Sequence, residues 1–287
     1  MNPLFIINPI SGGVDKSQII SEITSLCKLH TINYSIYIWD KKIAIIEHLK
    51  KFTPDRIVVI GGDGTLNFAV SKLAFLNIPF GLVSLGSANG TAKEINLSTN
   101  SIEALTDAVF SNNFLHTDVL DINNNICVHL SDIGTNAELV EKFEKEPERG
   151  FMSYAKHLFS TLIETKEKEF IIKANNKLYN WKGYMLTFAN ASKYGSGIII
   201  NPGGDISDGV FELCNVKDLS IEALLIMGFS KYSDNVNFSE YIDQIKTTKA
   251  MVETTKPYTL QIDGEIIGEF TKFNIEIKPK YFRFVIP

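Results

Sequence analysis

The chain has 287 residues, of which 45% are hydrophobic and 21% charged, a composition typical of a globular protein with room for two domains. Its net charge of −5 argues against binding nucleic acid or an anionic membrane through a general positive field. No apolar run is long enough to span a bilayer, and the first residues lack the features of a signal peptide, so we expect a cytoplasmic protein. Cysteines 27, 127 and 214 show no metal-ligand spacing and are expected to be reduced core residues.

Strands and helices alternate in the first part of the chain. Short apolar runs predict strands at residues 4–7, 57–60 and 80–84, and an alternating pattern predicts a strand at 34–39. Helical spacing of apolar residues predicts helices at 15–29, 43–51 and 101–110, and another after the third strand. This alternation indicates a parallel sheet covered by helices on both faces. We therefore expect an α/β N-terminal domain, with a nucleotide-binding role, over residues 1–117.

Three turns that follow predicted strands are rich in glycine and small polar residues. They read Asn8-Pro9-Ile10-Ser11-Gly12, Gly61-Gly62-Asp63-Gly64-Thr65-Leu66-Asn67 and Leu85-Gly86-Ser87-Ala88-Asn89. Glycine lets a backbone approach another group closely, and the free N–H groups at a helix start attract anions. Because the carboxyl ends of parallel strands share one edge of the sheet, we expect the three turns to converge there. Together they predict a site for nucleotide phosphates.

Asp63 places a negative charge inside this predicted anion site. A Mg²⁺ ion between its carboxylate and the phosphates would remove the repulsion. The alternative is that Asp63 only caps its own tight strand-to-helix turn.

The pattern changes near residue 117. Strands are predicted at 118–122, 126–131, 169–174, 177–181, 184–189, 210–216, 259–263, 269–277 and 281–285, with helices at 136–145, 150–164 and 221–231. This predominance of strands predicts a β-rich antiparallel, sandwich-like second domain over residues 118–287, whose last strand is a candidate to return to the first domain.

Two acidic turns of this second part are candidates for chemistry. Asp205 and Asp208 lie three residues apart in a glycine-rich segment, a pattern that suits a hard cation. Asp263-Gly264 is expected between two strands and leaves Glu265 as an exposed carboxylate. Ordinary turn chemistry is the alternative in both places, since Asp-Gly is common in turns and at hairpin tips.

Taken together, these motifs resemble the bacterial diacylglycerol kinase family, the lipid kinases that also include sphingosine and ceramide kinases. The resemblance runs in order over nearly the whole chain: the first turn, the Gly-Gly-Asp-Gly-Thr-Leu-Asn signature, the third turn, the segment 201–212 and the closing Asp263-Gly264-Glu265. The central signature also occurs in NAD kinases. The Asp205/Asp208 turn and the closing Asp-Gly-Glu select the lipid-kinase branch.

The resemblance implies an ATP- and Mg²⁺-dependent kinase that transfers the γ-phosphoryl group to the hydroxyl of a diacylglycerol-like or sphingoid-like lipid. Asp63 would act on the phosphates through Mg²⁺, Glu265 would be the general base, and Asp205, Asp208 and the Val210 carbonyl would bind a structural Mg²⁺. The lipid would be met at the membrane surface, peripherally on its inner face, with Glu265 facing the nucleotide across the gap between domains. ATP would be held by Asn8, Pro9, Ser11, Gly12, Gly61, Gly62, Asp63, Gly64, Thr65, Asn67, Ser87 and Asn89.

Three residues depart from the family pattern. Ser87 replaces Thr but keeps the hydroxyl, Gly90 replaces an Asp of the diacylglycerol kinases, and Asn136 replaces an acid. These changes bear on the acceptor lipid more than on the kinase chemistry. Two other functions stay open: a NAD-kinase-like phosphotransferase with a soluble acceptor, and a nucleotide- or lipid-binding protein without catalysis.

Overall fold

The computed structural model describes residues 1–13, 15–39, 44–135, 166–195, 197–218, 220, 223 and 238–287. The helices predicted at 136–145 and 150–164, and nearly all of the helix at 221–231, lie outside these ranges, as does Asn136. The chain separates into two compact units, Met1–Thr117 with Lys280–Pro287, and Asp118–Pro279. No helix of the described ranges is long and apolar enough to cross a membrane.

The first unit is built on a parallel sheet with the strand order β2-β1-β3-β4. Its strands are β1 (Pro3–Ile7), β2 (Ser35–Ile38), β3 (Arg56–Gly61) and β4 (Phe80–Ser84). β1 and β3 are buried along their whole length, which explains why they read as continuous apolar runs. The end of the last strand, β14 (Glu265–Ile286), completes this sheet, because Phe284 pairs in parallel with Phe80 of β4.

Five helices accompany the sheet: α1 (Ser17–Leu29), α2 (Ile45–Leu49), α3 (Asp63–Leu73), α4 (Gly90–Glu94) and α5 (Ser101–Phe110). α1 and α5 pack on one face of the sheet, where their apolar residues join Phe5, Ile7 and Val58 in a buried cluster. Asn100 caps the N-terminus of α5, and its side-chain oxygen accepts the N–H groups of Ile102 and Glu103. The short helix α4, which immediately follows the third predicted turn, was not predicted from the sequence.

The second unit contains antiparallel strands: the end of β5 (Asn113–Ile122), β6 (Asn125–Cys127), β7 (Leu130–Gly134), β8 (Lys168–Ala174), β9 (Lys177–Gly183), β10 (Met185–Ala189), β11 (Phe211–Val216), β12 (Ile242–Thr247), β13 (Lys249–Ile262) and the first part of β14. Their main order is β12-β11-β10-β7-β13-β14. The hairpin β8–β9 attaches to β13 through β8. The predicted combination of a parallel sheet and a β-rich antiparallel part is confirmed.

Strand β13 belongs to two sets of pairings. Near its start, residues 250–253 pair with β8, and near its end residues 260–262 pair with β7. The register against β14 shifts between Glu253 and Tyr258, around Pro257, which has no N–H to donate to the ladder. The surrounding core contains Phe170, Phe188 and Phe273, all fully buried. The long strand thereby joins its neighbours around one apolar core, as expected for a sandwich-like fold.

Several strands of this part differ from the prediction, and the strand predicted at 126–131 is divided between β6 and β7. β12 was not predicted, because its buried residues Ile242 and Ile245 are three positions apart rather than two. The strand predicted at 259–263 begins ten residues earlier, at Lys249. The strands predicted at 269–277 and 281–285 are parts of the single strand β14.

Gly81 of β4 marks a place where α5 lies so close that only glycine fits. A Cβ atom at this position would lie 2.6 Å from the Cβ atom of Ala108 and 2.9 Å from its Cα atom. Both are shorter than normal van der Waals contacts.

We expect Gly81→Ala to lower the free energy of unfolding by about 1–3 kcal/mol, because the added methyl group must push α5 away from the sheet. Thermal or urea denaturation measures this change. Thr106→Ala, at an exposed position of α5, is the control and should change stability by less than about 0.5 kcal/mol. Equal stability of the Gly81 variant and the native protein would contradict the close packing.

Candidate active site

Three loops follow β1, β3 and β4 at the carboxyl edge of the parallel sheet. We call them the first loop (residues 8–13), the second loop (residues 61–65, which leads into α3) and the third loop (residues 85–91, which leads into α4). They correspond to the three glycine-bearing turns of the sequence. Hydrogen bonds and close backbone contacts hold them together.

The first loop binds to both of the others through side chains. Asn8 donates from Nδ2 to Oγ1 of Thr65 in the second loop, at 3.0 Å. Ser11 donates from Oγ to the carbonyl oxygen of Leu85 in the third loop, at 3.1 Å. Gly12, at φ +63°, touches the same carbonyl so closely that a Cβ atom would overlap it. A larger residue at position 12 would therefore force the first and third loops apart.

Asp63 connects the second loop to the third. Its two carboxylate oxygens accept the backbone N–H groups of Gly90 at 2.8 Å and Thr91 at 2.9 Å, at the start of α4. The same two loops also meet through glycine, since a Cβ atom on Gly86 would lie 2.5 Å from Cα of Gly62. Asp63 thus braces two loops across 27 residues of sequence, which differs from the local cap considered for its own turn.

The third loop is shaped by Asn89. This residue has φ of 56°, in the left-handed region, and its Oδ1 atom accepts the N–H of Gly86 at 2.8 Å. The remaining residues predicted to hold ATP are distributed around the loops. Pro9 and Ser87 are exposed, Gly61 lies at the end of β3, and Gly64 and Asn67 lie in the first turns of α3, where Asn67 accepts a hydrogen bond from Ser71.

Lys16 is a residue of this region that the sequence analysis missed. Its side chain is nearly buried and donates from Nζ to the carbonyl oxygen of Ser11 in the first loop, at 2.6 Å. Burial lowers the pKa of its ammonium group, an effect that neighbouring Asp15 partly opposes. The sequence feature that could have indicated this residue is a lysine three positions after a Gly-Gly turn. Lys16 brings a positive charge to the first loop.

Two buried hydroxyl groups near the loops lack hydrogen-bond partners within the described part of the chain. They are Oγ of Ser84, at the end of β4, and Oγ1 of Thr91, beside the Asp63 brace. Buried polar groups are normally satisfied by protein, water or ligand. Together with Lys16, these hydroxyls are polar groups of the kind that a phosphate-bearing ligand needs.

In the second unit, the acidic turn at 205–210 is tied together by its own side chains. Asp205 accepts hydrogen bonds from the N–H and the hydroxyl of Ser207, at 2.9 and 2.6 Å. Asp208 accepts the N–H of Val210 at 3.1 Å and pairs with Nζ of Lys246 at 2.7 Å.

Two further carboxylates lie beside this turn and were missed in the sequence. Asp118 is fully buried and accepts the N–H of Gly209 at 2.7 Å. Glu212 is also buried and accepts a hydrogen bond from Asn201 at 2.7 Å. Burial raises the pKa of Glu212, against the opposing effects of Asn201 and Lys246. The signal for Asp118 was an acid beside the apolar strand residues Val119 and Leu120. Within the described residues, no group of three or more acidic, His or Cys side chains is arranged to hold a metal.

Glu265 begins β14, directly after the turn Asp263-Gly264. The predicted hairpin tip is confirmed, since Ile262 and Glu265 are paired across it. The turn is held by Asp263, whose carboxylate accepts three backbone N–H groups, those of Val128 (2.8 Å), His129 (2.9 Å) and Leu130 (3.2 Å).

Gln261 also holds this turn through hydrogen bonds of its side chain. Its Oε1 atom accepts the N–H of Gly264 at 2.8 Å, and its Nε2 atom donates to buried Asp132 at 2.7 Å. The backbone that carries Glu265 is therefore fixed by two side chains. The three loops belong to the first unit and Glu265 to the second, so its approach to the nucleotide stays a prediction.

A concavity of about 640 Å³ lies between the turns β8–β9 and β12–β13 of the second unit. Its lining includes Lys173, Lys177, Lys249 and the exposed Leu178. None of the residues predicted to bind ATP or Mg²⁺, nor Glu265, contributes to this lining.

We expect Asp63→Ala to remove both hydrogen bonds to α4 and to lower the free energy of unfolding by about 1–3 kcal/mol. The amide hydrogens of Gly90 and Thr91 should then exchange faster than in the native protein, while those of α5 should not change. Asp63→Asn keeps one acceptor oxygen and should give an intermediate effect. Unchanged exchange at both amides in Asp63→Ala would show that the brace is not formed in solution.

Two family models match the chain in sequence order. Residues 2–122 match the family model of the diacylglycerol kinase catalytic domain, and residues 132–286 match the YegS C-terminal NAD kinase beta sandwich-like domain. A Staphylococcus carnosus protein named "Putative lipid kinase" is 29% identical over 220 residues, covering 74% of this chain and 71% of that protein. The diacylglycerol kinase of Bacillus subtilis is 23% identical over 219 residues, covering 75% and 72%.

Solved structures show the same fold. The crystal structure of a diacylglycerol kinase from Bacillus anthracis superposes with a TM-score of 0.72 at 17% identity, covering 100% of this chain and 97% of that one. Because two family models match in order and span nearly all of the sequence, the chain belongs to the diacylglycerol kinase catalytic-domain family of lipid kinases.

Proposed function

We propose that this protein is an ATP- and Mg²⁺-dependent kinase that phosphorylates the hydroxyl of a diacylglycerol-like or sphingoid-like lipid. The observation that carries the proposal is the cradle of three loops, joined by Asp63, Asn8 and Ser11 at the edge of the parallel sheet. Its membership in a lipid-kinase family supports the same reaction class.

The cradle supplies what phosphoryl transfer requires of a protein, which is mainly positioning and neutralisation of charge. Glycines at 12, 62 and 86 keep side chains away from the loop contacts, so backbone amides can approach the phosphates. Lys16 adds a positive charge beside the first loop. When bound with ATP, Mg²⁺ would neutralise part of the phosphate charge near Asp63.

Glu265 is proposed as the general base that takes the proton from the acceptor hydroxyl. A base must be held within hydrogen-bond reach of the group it deprotonates. The hydrogen bonds of Asp263 and Gln261 fix the turn that presents Glu265 and limit the backbone positions that its carboxylate can sample. We infer that the lipid acceptor is met at the membrane surface, peripherally on the inner face.

We also propose that the turn at 205–210 binds a structural Mg²⁺ through Asp205, Asp208 and the carbonyl of Val210. The donors are oxygen atoms, the type that Mg²⁺ prefers. Lys246 already pairs with Asp208 and Glu212, so the ion and this ammonium group would compete for the same carboxylates. The hydrogen bond that Lys246 donates to Asp208 also raises the pKa of the Lys246 ammonium group, which therefore stays charged.

We expect Glu265→Gln to lower kcat about 10²- to 10⁴-fold, because the variant keeps the shape of the side chain but cannot accept a proton. The assay uses labelled ATP with extracted membrane lipids, and ATP binding is measured in parallel by calorimetry and should be retained. Glu269→Gln, four residues further along β14, is the matched control and should be active. Full activity of Glu265→Gln would exclude the general-base role, and formation of NADP from ATP and NAD would favour a NAD-kinase-like reaction.

We expect Mg²⁺ to raise the melting temperature of the native protein, and Asp208→Asn to remove part of this rise. Lys246→Met should instead strengthen it, because the competing cation is absent. Thermal unfolding at increasing Mg²⁺ concentration, without ATP, measures both effects. The same Mg²⁺ response in all three proteins would contradict a metal at this turn.

A further inference from the structure

Two aromatic side chains stack beside the first and second loops. The ring centroids of Trp39 and Phe68 are 4.4 Å apart and their planes differ by 15°. Both side chains are partly exposed. Parallel stacking at this distance holds each ring in a defined orientation.

The sheet register places this aromatic pair next to the first and second loops. Trp39 directly follows β2, and its backbone N–H donates to the carbonyl oxygen of Ile7 at 2.8 Å. Because Ile7 is paired with Ile38, Trp39 lies across from Asn8, the first residue of the first loop. Phe68 lies on α3, three residues after Thr65, to which Asn8 is hydrogen-bonded. The two rings therefore border the first and second loops.

Simple packing of α3 on the sheet is the alternative explanation for the pair. Tyr37, two residues before Trp39 and on the same side of β2, shows what a purely packed aromatic residue looks like here, with 4% of its surface exposed. Trp39 is more exposed and stands where the strand has ended. Its position suits contact with a ligand better than completion of the core.

A nucleotide has two chemically different ends. The loops offer backbone amides, hydroxyls and an ammonium group, which recognise phosphates and do not distinguish one base from another. A flat aromatic surface recognises the base, since bases stack on aromatic side chains whatever their hydrogen-bonding edges. Trp39 follows β2, the first loop follows its neighbour β1 and the second loop follows β3, so all three lie at the same edge of the parallel sheet.

We propose that Trp39, held in place by Phe68, forms a base-binding subsite on which the purine ring of the nucleotide stacks. This inference rests on the proposed function and extends it to the choice of nucleotide. Purines offer a larger surface for stacking than pyrimidines, so ATP and GTP bind more tightly than CTP and UTP. Phe68 fixes the ring plane before the nucleotide arrives, which reduces the side-chain entropy lost on binding.

The test compares ATP with inorganic tripolyphosphate, which has the phosphates but no base. Trp39→Leu should weaken ATP binding roughly 5- to 100-fold, the range that corresponds to the loss of one base–aromatic stack. Its affinity for tripolyphosphate should change less than about two-fold. Trp39→Phe keeps an aromatic ring and should retain most of the affinity for ATP, and thermal unfolding confirms that each variant is folded.

Fluorescence gives a second measurement that does not depend on catalysis. The chain has two tryptophans, Trp39 and Trp181. ATP should quench the fluorescence of the native protein, tripolyphosphate should not, and Trp39→Phe should lose the quenching while it still binds ATP.

Equal loss of affinity for ATP and tripolyphosphate in Trp39→Leu would overturn the inference, because the residue would then only support the loops. Unchanged affinity for ATP in that variant would overturn it as well, and both results would leave the proposed function standing. A native protein that binds tripolyphosphate and ATP equally well has no base subsite. A native protein that binds neither contradicts the proposed function itself.

Discussion

The candidate nucleotide site depends on the carboxylate of Asp63, which accepts hydrogen bonds from the backbone N–H groups of Gly90 and Thr91 at the start of α4. Hydrogen bonds to a charged group are stronger than those between neutral groups, and amides at a helix start are oriented to receive an anion. This interaction joins loops from two neighbouring strands, β3 and β4. The contact of Gly62 with Gly86 is possible only when the loops are held at this distance.

The second unit uses the same chemistry at another turn. Asp263 accepts three backbone amides of the segment 128–130, as Asp63 accepts two. In both places a carboxylate reaches a distant part of the chain and fixes the backbone of a predicted functional residue. An aspartate beside glycine therefore serves the structure here in addition to any role in catalysis. The hydrogen bonds of each carboxylate offset the extra backbone entropy that the neighbouring glycine loses when the turn folds.

Much of this arrangement could be predicted from the sequence, because β1, β3 and β4 are largely buried strands, each followed by a turn that contains glycine. Parallel strands place such turns at one edge, so their convergence follows from topology. The partners of Asp63 could not be predicted, since no periodicity connects residues 27 positions apart. Lys16 and Asp118 were missed for a related reason, because their roles depend on burial that only the folded chain reveals. β12 was not predicted because the spacing of its apolar residues is not that of a half-buried strand.

The last strand has a consequence for the order in which the chain can fold. β14 starts in the second unit, and its final residues, from Lys280 onwards, belong to the first. Ser111, at the end of α5, hydrogen-bonds the carbonyl of Ile286, and Phe284 pairs with β4. The sheet that carries the three loops therefore stays one strand short until residues 280–287 have been synthesised and have left the ribosome. Synthesis from the N-terminal end therefore does not complete the first unit in advance, because its sheet is completed only when residues 280–287 pair with β4.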